Sequence, residues 1–201
     1  NVRFDEIGYW SEVKLDIVKK YAAAYSTILS KQPNLTYLYI DAFAGAGQHI
    51  SRSTGTFVPG SPLNALAIQP PFKEIHLIDL DHGRVENLKA LTSGRSDVFV
   101  HEGNCNEVLL KEVFPRARYE DYRRALCLLD PYGLTLDWTV IEAAGKSRST
   151  DVFLNFPIMD MNRNALWKTG QGPAQDDLAR MNAFRGDESW KAAAYTAQGN
   201  L

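Results

Sequence analysis

The chain has 201 residues, 45% of them hydrophobic and 11% aromatic, enough to bury the core of one globular domain. A formal net charge of only −2 argues against a sequence-wide electrostatic footprint for nucleic acid and leaves a locally basic site as the one open route to such a partner. No apolar run reaches the roughly 18 residues of a membrane span and no signal-peptide pattern opens the chain, so no membrane association and a cytoplasmic protein are expected.

Cys105 and Cys127 share no C-x-x-C or metal-ligand spacing and read as buried, reduced thiols, with no metal site. The first residue is Asn1 rather than Met, which leads to the expectation of a trimmed chain.

In chain order, residues 10–30 place Val13, Ile17, Tyr21, Ala24 and Ile28 at helical spacing, with Lys14, Lys19 and Lys20 off that stripe; the spacing predicts an amphipathic helix ended by Pro33 and Asn34. "LTYLYIDAFA" follows as a buried strand. The long segment "QHISRSTGTFVPG", with His49, Arg52, Ser53 and Thr54, is a candidate lid. Helices are predicted over Ser61 to Gln69, with Ser61 as N-cap and Pro62 in the first turn, His82 to Thr92, Glu107 to Phe114 and Leu136 to Ala144. Strands are predicted over 74–81, 96–104, 124–133 and 150–157. "PRARYEDYRR" gathers arginines, but Glu120 and Asp121 interrupt the run and it reads as a solvated loop.

Strand and helix in alternation imply crossover connections. The fold class is α/β, a doubly wound, mostly parallel sheet in a single domain over 1–201, with a leading helix at about 10–30, a core at about 35–157 and a helical tail over 158–201. Further strands that such a sheet often carries at its C-terminal end are not found in the tail.

In such a sheet the ligand sits at the carboxyl ends of the strands, so the five exits belong together. At the first, Gly45 and Gly47 let the backbone turn tightly and a ligand approach closely. A dinucleotide site would show a third glycine where Ile50 stands and a helix at once, and Asp41 would repel pyrophosphate. An acid beside a glycine turn suits a cationic ligand such as S-adenosylmethionine, and a nicotinamide-dependent dehydrogenase is disfavoured.

At the second exit Asp79 is placed to accept from ribose hydroxyls, with Asp81 either beside it or capping the next helix. Asn104 at the third offers an amide to an adenine edge or forms a plain turn, and Asn106 reads as a helix cap. The fourth, "LLDPYGL", sets Asp130 beside the flat face of Tyr132, with Pro131 fixing the chain direction, a combination able to hold a planar amine. The fifth supplies Asn155, Phe156, Pro157, Asp160, Asn162, Arg163 and Asn164 as substrate contacts or helix caps. His49 is the histidine best placed to act as a base, whereas His76 and His101 lie within strands and read as structural.

"YIDAFAGAG", "GSPLNAL", "HLIDLD", "EGNCN", "LLDPYGL" and "FLNFPIMDMNRN", in this order, resemble the three-Cys-motif partner proteins (TcmP), which look like class I S-adenosylmethionine-dependent methyltransferases. The likeness covers about residues 9–168. It implies a Rossmann-like methyltransferase fold, a cofactor pocket from Asp41, Phe43, Gly45, Gly47, Asp79, Asp81 and Asn104, and Asp130, Pro131 and Tyr132 beside the transferable methyl. From the exits themselves, His49, Asn155, Phe156, Pro157, Asn162 and Arg163 are expected on the acceptor side, and the family name implies a partner protein carrying a three-cysteine motif. The alternative it leaves is a non-catalytic or nucleic-acid-handling accessory acting with that partner. The D-P-P-Y signature of amino-methylating nucleic-acid enzymes is not matched, since one proline is missing and Gly133 follows the tyrosine.

Overall fold

The computed structural model describes residues 4–166 and 174–194. Five strands form one all-parallel sheet: β2 (Thr36–Asp41), β5 (Glu74–Asp79), β6 (Val98–Glu102), β7 (Arg123–Leu129) and β8 (Thr150–Leu154). Their spatial order is β6-β5-β2-β7-β8, so the chain starts in the middle, winds one way, then returns past β2 to wind the other. The reversal lies between β2 and β7, where a doubly wound sheet opens a crevice for ligand.

The strands alternate faces with period two. Leu38, Ile40, Cys127 and Leu129 enter one core with helix α5 (Trp138–Ser147). Tyr37, Tyr39, Leu126 and Leu128 enter the other, with helices α1 (Tyr9–Leu29), α2 (Ser61–Leu66) and α3 (His82–Leu91). Burial on both faces explains why the strands read as nearly continuous apolar runs. Cys105 and Cys127 are buried free thiols.

The predicted helix over 107–114 is a composite: α4 (Cys105–Val108) passes into a π turn over Leu109–Val113 and a 3-10 turn over Phe114–Arg116, where Pro115 has no N–H to donate. Beyond β8 lie α6 (Ile158–Asp160), a π turn over Met161–Ala165, α7 (Gln175–Arg185) and α8 (Trp190–Ala194), with no strand among the described residues. No helix among them is long and apolar enough to cross a membrane.

Two expectations are corrected. The buried face of α1 is Val18, Ala22 and Ser26, whereas Ile17, Tyr21 and Ile28 are about half or more exposed; the larger side chains mark the wrong face because the sheet leaves room only for small ones. The segment expected as an irregular lid is a hairpin, β3 (Gln48–Ser51) with β4 (Phe57–Pro59), and β3 pairs in parallel with the short β1 (Glu6–Ile7). Its period-two signal is weak because four of the five residues between the two strands are hydroxylic or glycine.

His76 and His101 are structural parts of a polar chain beneath the β6 edge. His76 Nδ1 lies 3.1 Å from His101 Nε2, His76 Nε2 lies 3.2 Å from Glu74, and His101 Nδ1 lies 3.3 Å from Glu112. Burial raises the cost of charging Glu74, but donors from Arg116, Arg123 and His76 more than reverse that and hold its pKa at about 2. Burial lowers the His76 pKa to about 4. The unfolded chain therefore binds the proton more tightly, and this stability, full above about pH 6.5, is lost as pH falls toward 4. Taking the difference between the parent and His76→Gln isolates the effect: from pH 7 to pH 5 the parent should lose about 2 kcal/mol more in urea denaturation than the variant.

Candidate functional site

The site begins where β2 ends. Asp41 is completely buried; its Oδ1 accepts from the Phe43 N–H at 3.3 Å, and its Oδ2 has no hydrogen-bond partner. Burial pushes its pKa up to about 7; the Ser61 hydroxyl and the Phe43 N–H favour the charged form and oppose the rise, and the carboxylates of Asp130 and Asp79 add smaller contributions to it. Gly45 and Gly47 then turn the chain with φ of +64° and +84°, in the region that favours glycine. The Gly45 N–H donates to Asp79 Oδ2 at 2.9 Å, and Asn87 holds the Ala46 carbonyl at 2.7 Å. A side chain at Gly47 would meet Leu91 of α3 at 3.0 Å, so the loop lies directly on that helix.

Above this turn a cavity of about 610 Å³ is lined by Phe43, Asp79, Asp81, Arg84, Asn104 and Tyr132, among others. Asp79 accepts the Asp81 N–H on its second oxygen, at 2.9 Å, and reaches the cavity from a nearly buried position. Asp81 caps α3 through the Arg84 N–H at 2.9 Å, and Asn104 caps α4 through the Asn106 N–H at 3.0 Å. The expected capping role of Asn106 is corrected: its amide donates to Thr135 O and accepts from the Asp137 N–H, tying the third strand exit to the loop after β7.

A second cavity, of about 290 Å³, adjoins the first. Phe43 and Tyr132 line both, and Lys14, His49, Asp130 and Asn155 line the second. Asp130 is held on both oxygens, by Lys14 Nζ at 2.5 Å and Asn155 Nδ2 at 2.7 Å. His49 lines this cavity; its Nδ1 is buried and unpartnered, and burial lowers its pKa, so the ring is neutral at pH 7. Tyr132 is 63% exposed; its hydroxyl accepts from Arg84 at 3.2 Å, and Arg84 also grips Asp5 with two bonds of 2.9 and 3.1 Å. Asp5 precedes β1, so this contact ties the small sheet across the mouth of the site.

Of the expected residues, Phe43, Asp79, Asp81 and Asn104 line the first cavity, and His49, Asp130, Pro131, Tyr132 and Asn155 line the second. Asp41, Gly45 and Gly47 line neither; they lie in the chain on either side of Phe43, and Gly45 is joined to the first cavity through its bond to Asp79. Phe156, Pro157, Asn162 and Arg163 line neither: Phe156 packs edge-on against Phe184 of α7 at 5.3 Å, Pro157 precedes α6, and Asn162 and Arg163 are exposed on the π turn. The side chain of Asn164 lies outside the described residues.

Three site residues escape sequence reasoning, and a fourth residue, Asp160, has a different partner from those expected. Lys14 belongs to the four-residue series Lys14, Val18, Ala22, Ser26, outweighed by bulkier neighbours; Arg84 and Asp5 carry no motif at all. Asp160 serves neither as a helix cap nor as a substrate contact: its Oδ2 accepts the Leu134 N–H at 2.9 Å and sits 2.7 Å from where a side chain on Gly133 would begin. That carboxylate is why glycine follows Tyr132.

No family model matches the sequence, and no curated protein matches it. Among solved structures, the chain is similar to protein LPL1258 of Legionella pneumophila, described under the family model DUF519, with 15% identity and a TM-score of 0.51 over 69% of this chain. It is also similar to "Putative methyltransferase yhhF" of Escherichia coli, with 16% identity, a TM-score of 0.41 and 70% of this chain covered. A third neighbour, "a putative methyltransferase" of Thermobifida fusca, has 16% identity and a TM-score of 0.39 over 84% of this chain. The chain spans 66%, 64% and 59% of these three, less than two thirds of each. The Legionella protein supports the α/β fold alone.

Gly133→Ala tests the Asp160 clamp. Gly133 has a φ of +146°, and the new methyl group would force Asp160 off the Leu134 N–H, so stability should fall by about 1–3 kcal/mol in denaturant titration. Adding Asp160→Ala should remove the steric part and leave only the backbone strain.

Proposed function

We propose that this protein is an S-adenosylmethionine-dependent methyltransferase acting on a nitrogen nucleophile. One observation carries the reading: two cavities meet at Phe43 and Tyr132 on the carboxyl edge of the sheet, and Asp41, a half-ionised carboxylate with one oxygen unpartnered, is buried two residues from Phe43. A buried carboxylate with one oxygen left without a donor is costly in an empty protein and is relieved by a cation. The residues fit such a ligand: the glycine turn leaves room for close approach, Asp79 and Asn104 offer acceptor and amide groups to a nucleoside, and Asp41 balances positive charge.

When bound, S-adenosylmethionine supplies a methyl group on a positively charged sulfur. The chain's own work is orientation and charge placement. Tyr132 and Phe43 form the aromatic walls between the cavities. Asn155 orients Asp130, whose carboxylate accepts hydrogens from the acceptor amine once Lys14 yields its place. His49, neutral at pH 7, offers Nδ1 to the departing proton.

Calorimetric titration with S-adenosylmethionine is the direct test. If binding requires ionised Asp41, affinity should weaken about fivefold from pH 7 to pH 6 and approach tenfold per unit below that, because the proton held in the free protein must leave. Asp41→Asn should bind weakly with no such slope. Asp130→Ala should bind the cofactor but fail to transfer labelled methyl to cell nucleic acid and protein fractions. Absence of cofactor binding by the parent would sink the reading.

A second reading has its own support. Trp10, Ile17, Tyr21 and Ile28 leave an exposed apolar face on α1, and Lys14 already occupies Asp130. These features suit an accessory protein that docks on a three-cysteine-motif partner instead of methylating anything. Co-purification with such a partner that is lost in Tyr21→Ser/Ile28→Ser, together with no methyl incorporation by the parent, would favour it.

A further inference from the structure

The arginines of "PRARYEDYRR" do not share one fate. Arg116 and Arg123 both bind Glu74 beneath the β6 edge, and Arg118 lies 3.7 Å from Asp121. Arg124 has no carboxylate within ion-pair distance among the described residues; its Nη1 donates to the Arg123 and Tyr119 carbonyls. Its guanidinium rests 4.0 Å from the centre of the Tyr119 ring, and Arg148 approaches the same ring at 5.1 Å, also with no carboxylate partner among those residues. Two cations are therefore gathered at one aromatic ring with no carboxylate counter-ion among the described residues.

Both line a cavity of about 400 Å³ with Tyr25, Ser149 and Thr150. It lies where β7 and β8 begin, at the end of the sheet opposite the candidate site. Arg148 closes α5 in the left-handed backbone region, at φ +57°, a position that glycine usually takes. The C-terminal dipole of α5 offers some compensation to Arg148. It gives no reason for Arg124 to stand beside it.

The Tyr25 hydroxyl, on the wall of the same cavity, is buried with no hydrogen-bond partner. Its ring is stacked on Phe72 at 6.2 Å, which limits its freedom to turn away. Burial raises its pKa, so it is a donor lacking an acceptor. Three donor groups, two of them guanidiniums, thus line a space whose one anionic group among the lining residues is Asp151 at its exposed rim.

We infer that this cavity binds a phosphate group, clasped by Arg124 and Arg148 and capped by the Tyr25 hydroxyl. The guanidinium fork matches phosphate oxygens two at a time, and a phosphate supplies negative charge and acceptor oxygens.

The full chain would be titrated with inorganic phosphate and with glycerol phosphate, against sodium chloride at equal ionic strength, by calorimetry and thermal denaturation. Saturable binding at one site and a raised thermal midpoint are expected. Arg124→Gln and Arg148→Gln should each weaken binding roughly tenfold. Asp151→Asn, which removes the opposing charge without touching the clasp, should tighten it a few-fold. Binding of glycerol phosphate would point to a phosphate ester, and of inorganic phosphate alone to the free ion; either supports the inference. No binding above the chloride control, or parent-like affinity in the Arg124→Gln/Arg148→Gln variant, would overturn it, and unchanged affinity in Asp151→Asn would do the same where the double variant fails to fold.

Discussion

Parallel register delivers three carboxylates to one edge of the sheet, and the candidate site is organised around that electrostatic problem. Asp41 ends β2, Asp79 ends β5 and Asp130 follows β7, with β2 lying between the other two strands. Like charges gathered in a poorly hydrated place must be neutralised individually. Each is treated differently. Asp79 receives two backbone N–H groups, Asp130 receives Lys14 and Asn155, and Asp41 receives a single N–H and takes up a proton near neutrality instead. The least satisfied of the three is therefore the one beneath the turn built from Gly45 and Gly47, where a ligand can come nearest the backbone.

The sheet and its strand exits were legible because buried parallel strands advertise themselves as apolar runs, and because each run here ends in Asp, Asn or Gly. The five strands and the placement of Asp41, Asp79 and Asp130 along one edge follow from that pattern alone. What it could not supply was the partner of each polar group. Lys14 looks like a solvent-facing lysine of an amphipathic helix, and its pairing with Asp130 depends on which face of α1 meets the sheet. That choice was hidden because the sheet accepts Val18, Ala22 and Ser26 and refuses Tyr21 and Ile28. Tyr and Ile at helical spacing signal amphipathicity correctly, yet not the side that is buried when steric room is scarce.

The fifth exit divides for a related reason: Asn155 lines the second cavity, and the residues after it turn elsewhere. "FPIMDMNRN" is rich in amides and looks like a binding segment, but Phe156 turns toward α7 and Asp160 turns back to the Leu134 N–H. A polar residue just after a strand can serve the ligand or brace the neighbouring loop, and the local sequence is the same in both cases. The pair Gly133 and Asp160 separates them: the glycine directly after Tyr132 has a φ of +146°, and it also marks a place where another group fills the space of a side chain.

Protonation couples these two parts of the molecule in opposite directions. Burial keeps His76 neutral, so its contribution to stability declines as pH falls from about 6.5 toward 4. Burial also keeps Asp41 protonated, so its contribution is full below about pH 4 and is lost as pH rises through about 7. Between pH 5 and 7 each change is about 2 kcal/mol, and in the ligand-free protein they nearly cancel. A flat stability profile over that range would then reflect two opposed titrations rather than their absence. A bound cation breaks the balance, because it stabilises the ionised form of Asp41 and leaves His76, on a strand of the same sheet, unchanged.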